Sequence, residues 1–304
     1  MQSWSLERKI QVTQTRILEW YTKFEGKVYI SFSGGKDSTV LLDLARRIYP
    51  DIEAVFMDTG LEYPEVRDFV KSIENVRWLK PEMNFKKVIE RYGYPLISKE
   101  VSRDISVARN KPEGKTAQKF IRGSDYHKKY GDAWLLEKWI PLRDSNIPIS
   151  NRCCDIMKKR PARKYDKQSG KAPIIATMAY ESRLRKKEWL TNGCNAFDKN
   201  NPSSQPMSFW TEQDVLQYIR QFNIPYASVY GDIVKDENGK LYTTLCDRTG
   251  CVFCGFGCHL EKPENRFQRL KKTHPKLWEY CMKPISEGGL GMKEVLEYIN
   301  VKIE

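Results

Sequence analysis

Two apolar rhythms run through this chain, one short and β-branched, the other spaced as helices require. Val28, Tyr29, Ile30 and Phe32 form an apolar run that meets Ser33-Gly34-Gly35-Lys36-Asp37-Ser38. An apolar-periodic segment through Val40, Leu41, Leu42 and Leu44 follows, which predicts strand, tight loop and helix. Beyond Pro50 and Asp51, Ile52 to Met57 predicts a second strand, Val66 to Ile73 a helix, Val76 to Leu79 a third strand, and Pro173 to Thr177 a fourth. Leu6, Ile10, Ile17 and Trp20 recur at roughly helical intervals, so an amphipathic helix is expected to pack on the domain ahead of the first strand. Thr211 is placed as an N-cap with Asp214 at the third helical position, close to a capping box, and the helix it opens runs to Phe222. Helices are also expected over Asn265 to Lys272, Pro275 to Met282 and Met292 to Tyr298.

The first strand–loop–helix junction has the chemistry of a phosphate cradle. Glycines let the backbone turn and leave N–H groups uncovered, the helix directs its positive end there, and Lys36 adds a mobile charge. Gly34 and Gly35 are adjacent, so the spacing of a Walker A loop is not met, and the dinucleotide fingerprint is absent as well. The second strand ends in Asp58-Thr59-Gly60, and in an open parallel sheet ligands gather beyond the carboxyl ends of strands, so Asp58 is expected to face the same crevice.

Composition narrows the class. At 304 residues the chain is long enough for about two domains, and 40% hydrophobic with 30% charged residues describes a globular protein. The net charge of +13 favours polyanionic partners. Residues 151 to 190 alone carry twelve basic side chains against four acidic ones. Residues 84 to 150 interleave basic and aromatic side chains, among them Arg109, Lys119, Arg122, Tyr126, Lys128, Lys129, Tyr130, Trp134 and Trp139. That pattern suits a strand of nucleic acid and equally an ordinary solvated helical insertion. No run of 18 apolar residues exists and MQSWSLERKI lacks the pattern of a secretory signal, so a cytoplasmic protein without a membrane partner is expected.

Several stretches resemble one known family. SGGKDS after a strand resembles the PP-loop of the adenine nucleotide α-hydrolases, and DTGLEYPEV resembles the DTG-aromatic-PET segment of phosphoadenosine phosphosulfate (PAPS) reductases. Residues 176 to 185 resemble the G-x-R-x-x-E-S-x-x-R segment of the same family. Glu181, Ser182 and Arg185 match, Ala176 replaces the glycine and Met178 the first arginine. PMSFWTEQDVLQYI resembles a further family stretch, so the likeness runs from about residue 28 to about 222. It implies a three-layer α/β, Rossmann-like domain with a parallel sheet over 28–225, with a helical basic insertion at about 84–150. The N-terminal helix (1–27) would precede it and a cysteine-rich helical region (226–304) follow. It also implies a nucleotide held by Ser33, Gly34, Gly35, Lys36, Asp37, Ser38, Asp58, Thr59, Gly60, Glu181 and Ser182.

Residues 246 to 258 place Cys246, Cys251, Cys254 and Cys258 in thirteen positions, and in a reducing compartment such clustering points to a metal. The spacing of the first three equals the C-x4-C-x2-C run of plant-type ferredoxins, and C-x2-C also suits zinc. Cys153-Cys154 resembles the vicinal pair that, with a later C-x2-C, holds a 4Fe–4S cluster in adenosine phosphosulfate reductases. The ligand set therefore stays open. A 4Fe–4S cluster is favoured over zinc, with Cys251 and Cys254 in every set, Cys246 next, and one of Cys153, Cys154 or Cys258 completing it. His259 is placed beside the ligands, and Cys194 is a weaker candidate for a sulfur carrier.

Three functions follow as expectations. In the first, ATP is cleaved at its α-phosphate, a substrate oxygen is adenylated and sulfur replaces it, as in nucleic-acid thiolation or DNA phosphorothioation. There the Ser33–Ser38 loop, Lys36 and Mg2+ would stabilise the leaving pyrophosphate, Asp37 would belong to the catalytic loop, and Arg183 and Arg185 would orient phosphates. The second is thiol-dependent reduction of PAPS or adenosine phosphosulfate to sulfite, for which the family's Glu-Cys-Gly-Leu/Ile-His tail is not found in EYINVKIE. The third is a non-catalytic, nucleotide-gated binding module. Candidate partners are ATP or adenylyl sulfate, nucleic acid, a cysteine desulfurase or other thiol donor, and a second copy of the chain in a homodimer.

Overall fold

A computed structural model describes residues 1–121, 125, 138–198, 200–262 and 264–304. Arg122, Tyr126, Lys128, Lys129, Tyr130 and Trp134 of the basic, aromatic stretch lie outside the described residues. The chain divides into two compact units, one of residues 1–58, 62–80 and 161–250, the other of 59–61, 81–160 and 251–304.

The first unit opens with helix α1 (Leu6–Lys23), capped by Ser5, whose side chain accepts from Arg8 N. Strand β1 (Val28–Phe32), helix α2 (Lys36–Arg46), β2 (Ala54–Met57), α3 (Pro64–Lys71) and β3 (Val76–Leu79) follow. β4 (Leu96–Ile97) belongs to the other unit; β5 (Ala172–Ile175), β6 (Asn195–Ala196) and β7 (Ser203–Ser204) return to the first. The six-stranded sheet has the order β3-β2-β1-β5-β7-β6, parallel except for β6 on β7. The four strands expected from apolar runs are present, with β2 two residues shorter at its start and β5 shifted by one or two positions. β6 and β7 carry no such run; Ser204 Oγ donates to Asn195 Oδ1 at 2.6 Å, so a polar pair joins them.

Alternation along the strands sorts the two faces of the sheet. Val28, Ile30, Phe32, Ala54, Phe56, Ala172 and Ile174 face a core shared with Ile17 and Trp20 of α1 and Val40, Leu41 and Leu44 of α2. Val215, Tyr218 and Ile219 of the helix Glu212–Phe222 complete that core. Tyr29 and Val55 face the other way and meet Tyr165 of the helix Arg160–Ser169. Helices thus cover both faces, which is the three-layer α/β arrangement. The box at Thr211 is present: Thr211 N donates to Asp214 Oδ2 at 2.6 Å, and the same oxygen accepts from the buried Lys9 of α1 at 2.6 Å. β1 has β2 on one side and β5 on the other, which makes its carboxyl end the switch point where ligands bind in such sheets.

In the second unit β4 pairs in parallel with β10 (Gly255–Phe256), the next-to-last strands in the chain being the hairpin β8 (Ile233–Lys235) and β9 (Leu241–Thr243) of the first unit. A Cβ on Gly255 would lie 2.6 Å from Pro95 O, so only glycine permits this approach. Helices Phe85–Tyr92, Lys99–Asn110, Arg266–Thr273, Pro275–Met282 and Met292–Tyr298 build the rest of its core. Arg109 donates to the carbonyls of Leu142, Arg143, Ser145 and Ile147 at 2.5–2.7 Å. It closes a helix end, and its guanidinium is thereby engaged by backbone rather than offered to a nucleic-acid phosphate.

Candidate nucleotide site and cysteine group

Ser33, Gly34 and Gly35 connect β1 to α2. Gly34 sits at φ +70°, and a Cβ there would come within 2.7 Å of Val70 Cγ2 and 2.8 Å of Val66 Cγ1. The loop ties itself together through Ser38, whose Oγ lies 3.0 Å from Ser33 Oγ, donates to Gly35 O at 3.0 Å and accepts from Ser33 N at 3.2 Å. Gly35 caps α2 without a side-chain hydrogen bond, and at the positive end of the helix the backbone N–H of Lys36 donates to Tyr230.

Lys36 is buried. Its Nζ lies 3.5 Å from Thr243 Oγ1, 3.6 Å from Glu212 Oε1 and 4.9 Å from the centre of the Tyr230 ring. Asp37 is partly buried beside it. Burial pushes its carboxyl up to about 6 against the pull of Lys36 and Arg248, and Glu212 adds to the push.

At the end of β5, Met178 is buried among apolar side chains, and its N–H donates to Glu181 Oε2 at 3.3 Å. Glu181 is itself buried and pairs with both Arg185 and Arg248. Ser182 caps the following helix (Arg183–Asn192), its Oγ accepting from Arg185 N at 3.2 Å. The sequence-expected Ser33, Gly34, Gly35, Lys36, Asp37, Ser38, Glu181, Ser182 and Arg185 therefore line the ends of two neighbouring strands. Arg183 is exposed on the first turn of its helix. Asp58, at the end of β2, is buried and pairs with Arg67 at 3.1 Å. Thr59 and Gly60 belong to the second unit, where Thr59 Oγ1 accepts from Leu61 N at 3.2 Å and Leu61 O accepts from Val252 N at 2.8 Å.

Four residues of this site escaped sequence reading: Glu212, Tyr230, Thr243 and Arg248. Each reaches the loop by tertiary packing from beyond residue 210. Arg248 stands inside the cysteine motif, where its neighbours drew attention from it.

The cysteines divide between the units. Cys153, Cys154, Cys251, Cys254 and Cys258 lie in the second, Cys246 in the first, where its Sγ donates to Arg248 O at 3.0 Å. The Sγ atoms of Cys153 and Cys154 are 3.9 Å apart. Cys153 is pushed up by that hydrogen bond, by burial and by the charges of Cys154, Cys254 and Cys251. Cys154 is held low by the bond from Cys153, against burial, with Lys99, Lys158 and Lys159 assisting. Burial pushes Cys254 up to about 11 and Cys258 up to about 12. Among the described residues no three His, Cys, Asp or Glu side chains come together in a metal-holding group. Within the second unit the charges of Cys153, Cys154, Cys251 and Cys254 act on one another. His259 packs edge-on to Trp139, ring centres 5.3 Å apart, and its Nδ1 is buried. Cys194 and Cys281 are buried, and burial pushes both thiols up.

The family model described as phosphoadenosine phosphosulfate reductase domain matches residues 27–96 and 76–255. The chain belongs to the PAPS reductase family. An uncharacterized protein of Methanocaldococcus jannaschii is 27% identical over 265 residues, 85% of this chain and 41% of that protein. A second from the same organism is 26% identical over 284 residues, 92% of this chain and 53% of that one. The chain thus spans about half the length of these two relatives. Adenosine 5'-phosphosulfate reductase of Staphylococcus epidermidis is 27% identical over 250 residues, 78% of this chain and 74% of that enzyme. Among solved structures, the PAPS reductase of Candida auris in a phosphate complex aligns with 78% of this chain and 98% of its own, at 16% identity and TM-score 0.41. No helix among the described residues is long and apolar enough to cross a membrane.

Proposed function

We propose that the protein binds ATP at the carboxyl ends of β1 and β5, breaks it at the α-phosphorus and passes the adenylyl group to a substrate oxygen that sulfur then replaces. One observation carries this reading: the cations Lys36, Arg185 and Arg248 are interleaved with the carboxylates Asp37, Glu212 and Glu181 at the start of α2. Such a set neutralises itself at rest and exchanges its partners when a polyphosphate and a cation arrive. A substrate oxygen attacks the α-phosphorus and the bond to the pyrophosphate oxygen breaks. The loop N–H groups and Lys36 hold the departing charge. The terminal sulfur of a persulfide, as on a cysteine desulfurase, then attacks and displaces AMP, leaving a mixed disulfide that a second thiol cleaves to the thiolated substrate while a disulfide forms on the donor.

Mg2+, when bound, would share the charge of the pyrophosphate. Asp37 and Glu212, whose charges act on each other, are the carboxylates that would hold it, two being usual beside phosphate oxygens. Cys153, Cys154, Cys251 and Cys254 would hold a 4Fe–4S cluster, which when bound would supply electron or sulfide chemistry. Nucleic acid is the acceptor favoured by charge, with Arg163, Lys164 and Lys167 exposed on the helix Arg160–Ser169.

The full chain, purified without oxygen, should convert ATP to AMP and pyrophosphate when RNA or DNA and a persulfide donor are present, and iron and sulfide should accompany it. Sulfite and AMP from adenosine phosphosulfate plus a thiol, with no ATP turnover, would instead establish the second reading. The Staphylococcus epidermidis relative favours that alternative. Neither activity with any acceptor would leave the nucleotide-gated binding module.

A further inference from the structure

Sheet order fixes which side chains a nucleotide laid across the strand ends would meet. β2, β1 and β5 are consecutive neighbours, with Asp58 at the end of β2, the glycine loop at the end of β1 and Glu181 just past the end of β5. A nucleotide laid across these ends with its nucleoside by β2 and its α-phosphate on the loop carries its outermost anion to the β5 side. The cations paired with Glu181 there are Arg185 and Arg248, and Met178 beside them is buried and apolar.

Arg248 is built into this position. Its segment is fastened beside the loop: Tyr230 OH and Thr249 Oγ1 are 3.2 Å apart, Leu245 N donates to Tyr230 O at 3.1 Å, and Thr243 Oγ1 donates to Cys246 O at 2.9 Å. Thr243 and Tyr230 are also the groups around Lys36. The guanidinium pairs with the 5% exposed carboxylate of Glu181 while remaining 66% exposed itself, and its charge is felt at Asp37. One face of its planar fork is therefore fixed by a buried anion and the remaining donors are open to solvent.

We propose, resting on the nucleotide reading above, that Arg248 is a specificity-determining ligand for the group beyond the α-phosphate, the β-phosphate of ATP or the sulfate of an adenylyl sulfate. Glu181 orients it together with Arg185, so two guanidinium groups form a fork for a tetrahedral anion. A residue between two cysteines of the motif thereby reads the nucleotide.

The test is calorimetric titration of wild type, Arg248→Ala and Arg248→Lys with AMP, ATP and adenosine 5'-phosphosulfate, after thermal melting shows all three folded. Arg248→Ala should weaken ATP and adenosine 5'-phosphosulfate at least tenfold and AMP less than twofold, and Arg248→Lys should recover part of the loss. An equal loss for AMP, or none for any nucleotide, overturns the assignment of Arg248. Wild type binding none of the three overturns the nucleotide reading itself. For a substitution that lowers the melting point by more than a few degrees, Glu181→Gln serves as the second variant. It should selectively weaken the same two nucleotides with both arginines still present, and unchanged selectivity counts against the proposal.

Discussion

At the amino end of the sheet, Glu53 accepts hydrogen bonds from Arg77 and Lys171, each at 2.6 Å, and from Tyr165; Tyr29 OH donates to Asp166 at 2.7 Å beside them. At the carboxyl end, Asp37 lies among Lys36, Arg248 and Glu212. Burial favours the neutral acid at both carboxylates. At Glu53 the bonds from Lys171, Tyr165 and Arg77 outweigh it and hold the carboxyl down at about 2, whereas Asp37 rises to about 6. One end of the same sheet satisfies its charge and the other leaves it in tension. Under the proposed function the first is a structural cluster and the second a working one.

The strongest way to break the contrast is to spoil the loop itself. Gly34→Ala puts a Cβ at positive φ and into Val66 and Val70. It should cost about 2–4 kcal/mol of stability and abolish nucleotide binding; a variant that still binds ATP normally would show that the loop is not the site. Lys36→Met should next reduce turnover about 100-fold or more while moving the melting point little. An equal loss of fold and turnover would instead make Lys36 a core residue.

Asp37→Asn sharpens the comparison through pH. Because the folded carboxyl is raised from 3.8 to about 6, its contribution to stability is fully present below about pH 4 and is lost as pH rises through 6. The amide removes that loss, so the variant should be about 1–3 kcal/mol more stable than wild type at pH 8 and no more stable at pH 4, while turnover falls. Urea melts at the two pH values decide it; a variant less stable at pH 8 contradicts the assignment. Glu53→Gln should act in the opposite sense. The folded carboxyl lies below its ordinary 4.5, so its contribution is present above that pH and fades as pH falls towards 2. The variant should lose about 1 kcal/mol at pH 7 with turnover unchanged, and its stability should fall less steeply in acid than that of wild type.

Much of the nucleotide unit was legible in the sequence because its signals are local. An apolar run followed by two glycines and a second periodic run leaves few alternatives for Val28 to Leu44, and Thr211 with Asp214 marks a helix start by itself. Arg248 and Tyr230 were not legible, since each reaches the loop through tertiary contacts that no spacing encodes. Arg109 shows the same limit in reverse: its charge suggested a phosphate, yet four carbonyls use it. β6 and β7 are joined by serine and asparagine rather than by apolar periodicity.

The pairing of β4 with β10 also shapes how the chain can be made. Residues 81–160 and 251–304 compose one unit, with most of the remainder of the other unit between them, so neither is a continuous stretch. At the usual speed of synthesis, Leu96 and Ile97 leave the ribosome roughly ten to thirty seconds before Gly255 and Phe256. Tyr94, Leu96 and Ile97 are buried in the finished protein and must wait through that interval for Leu290 O and for β10, their partners there. The yield of folded protein should therefore respond to chaperone supply and to slower, cooler expression, with the segment 81–160 as the aggregation-prone stage of its biogenesis.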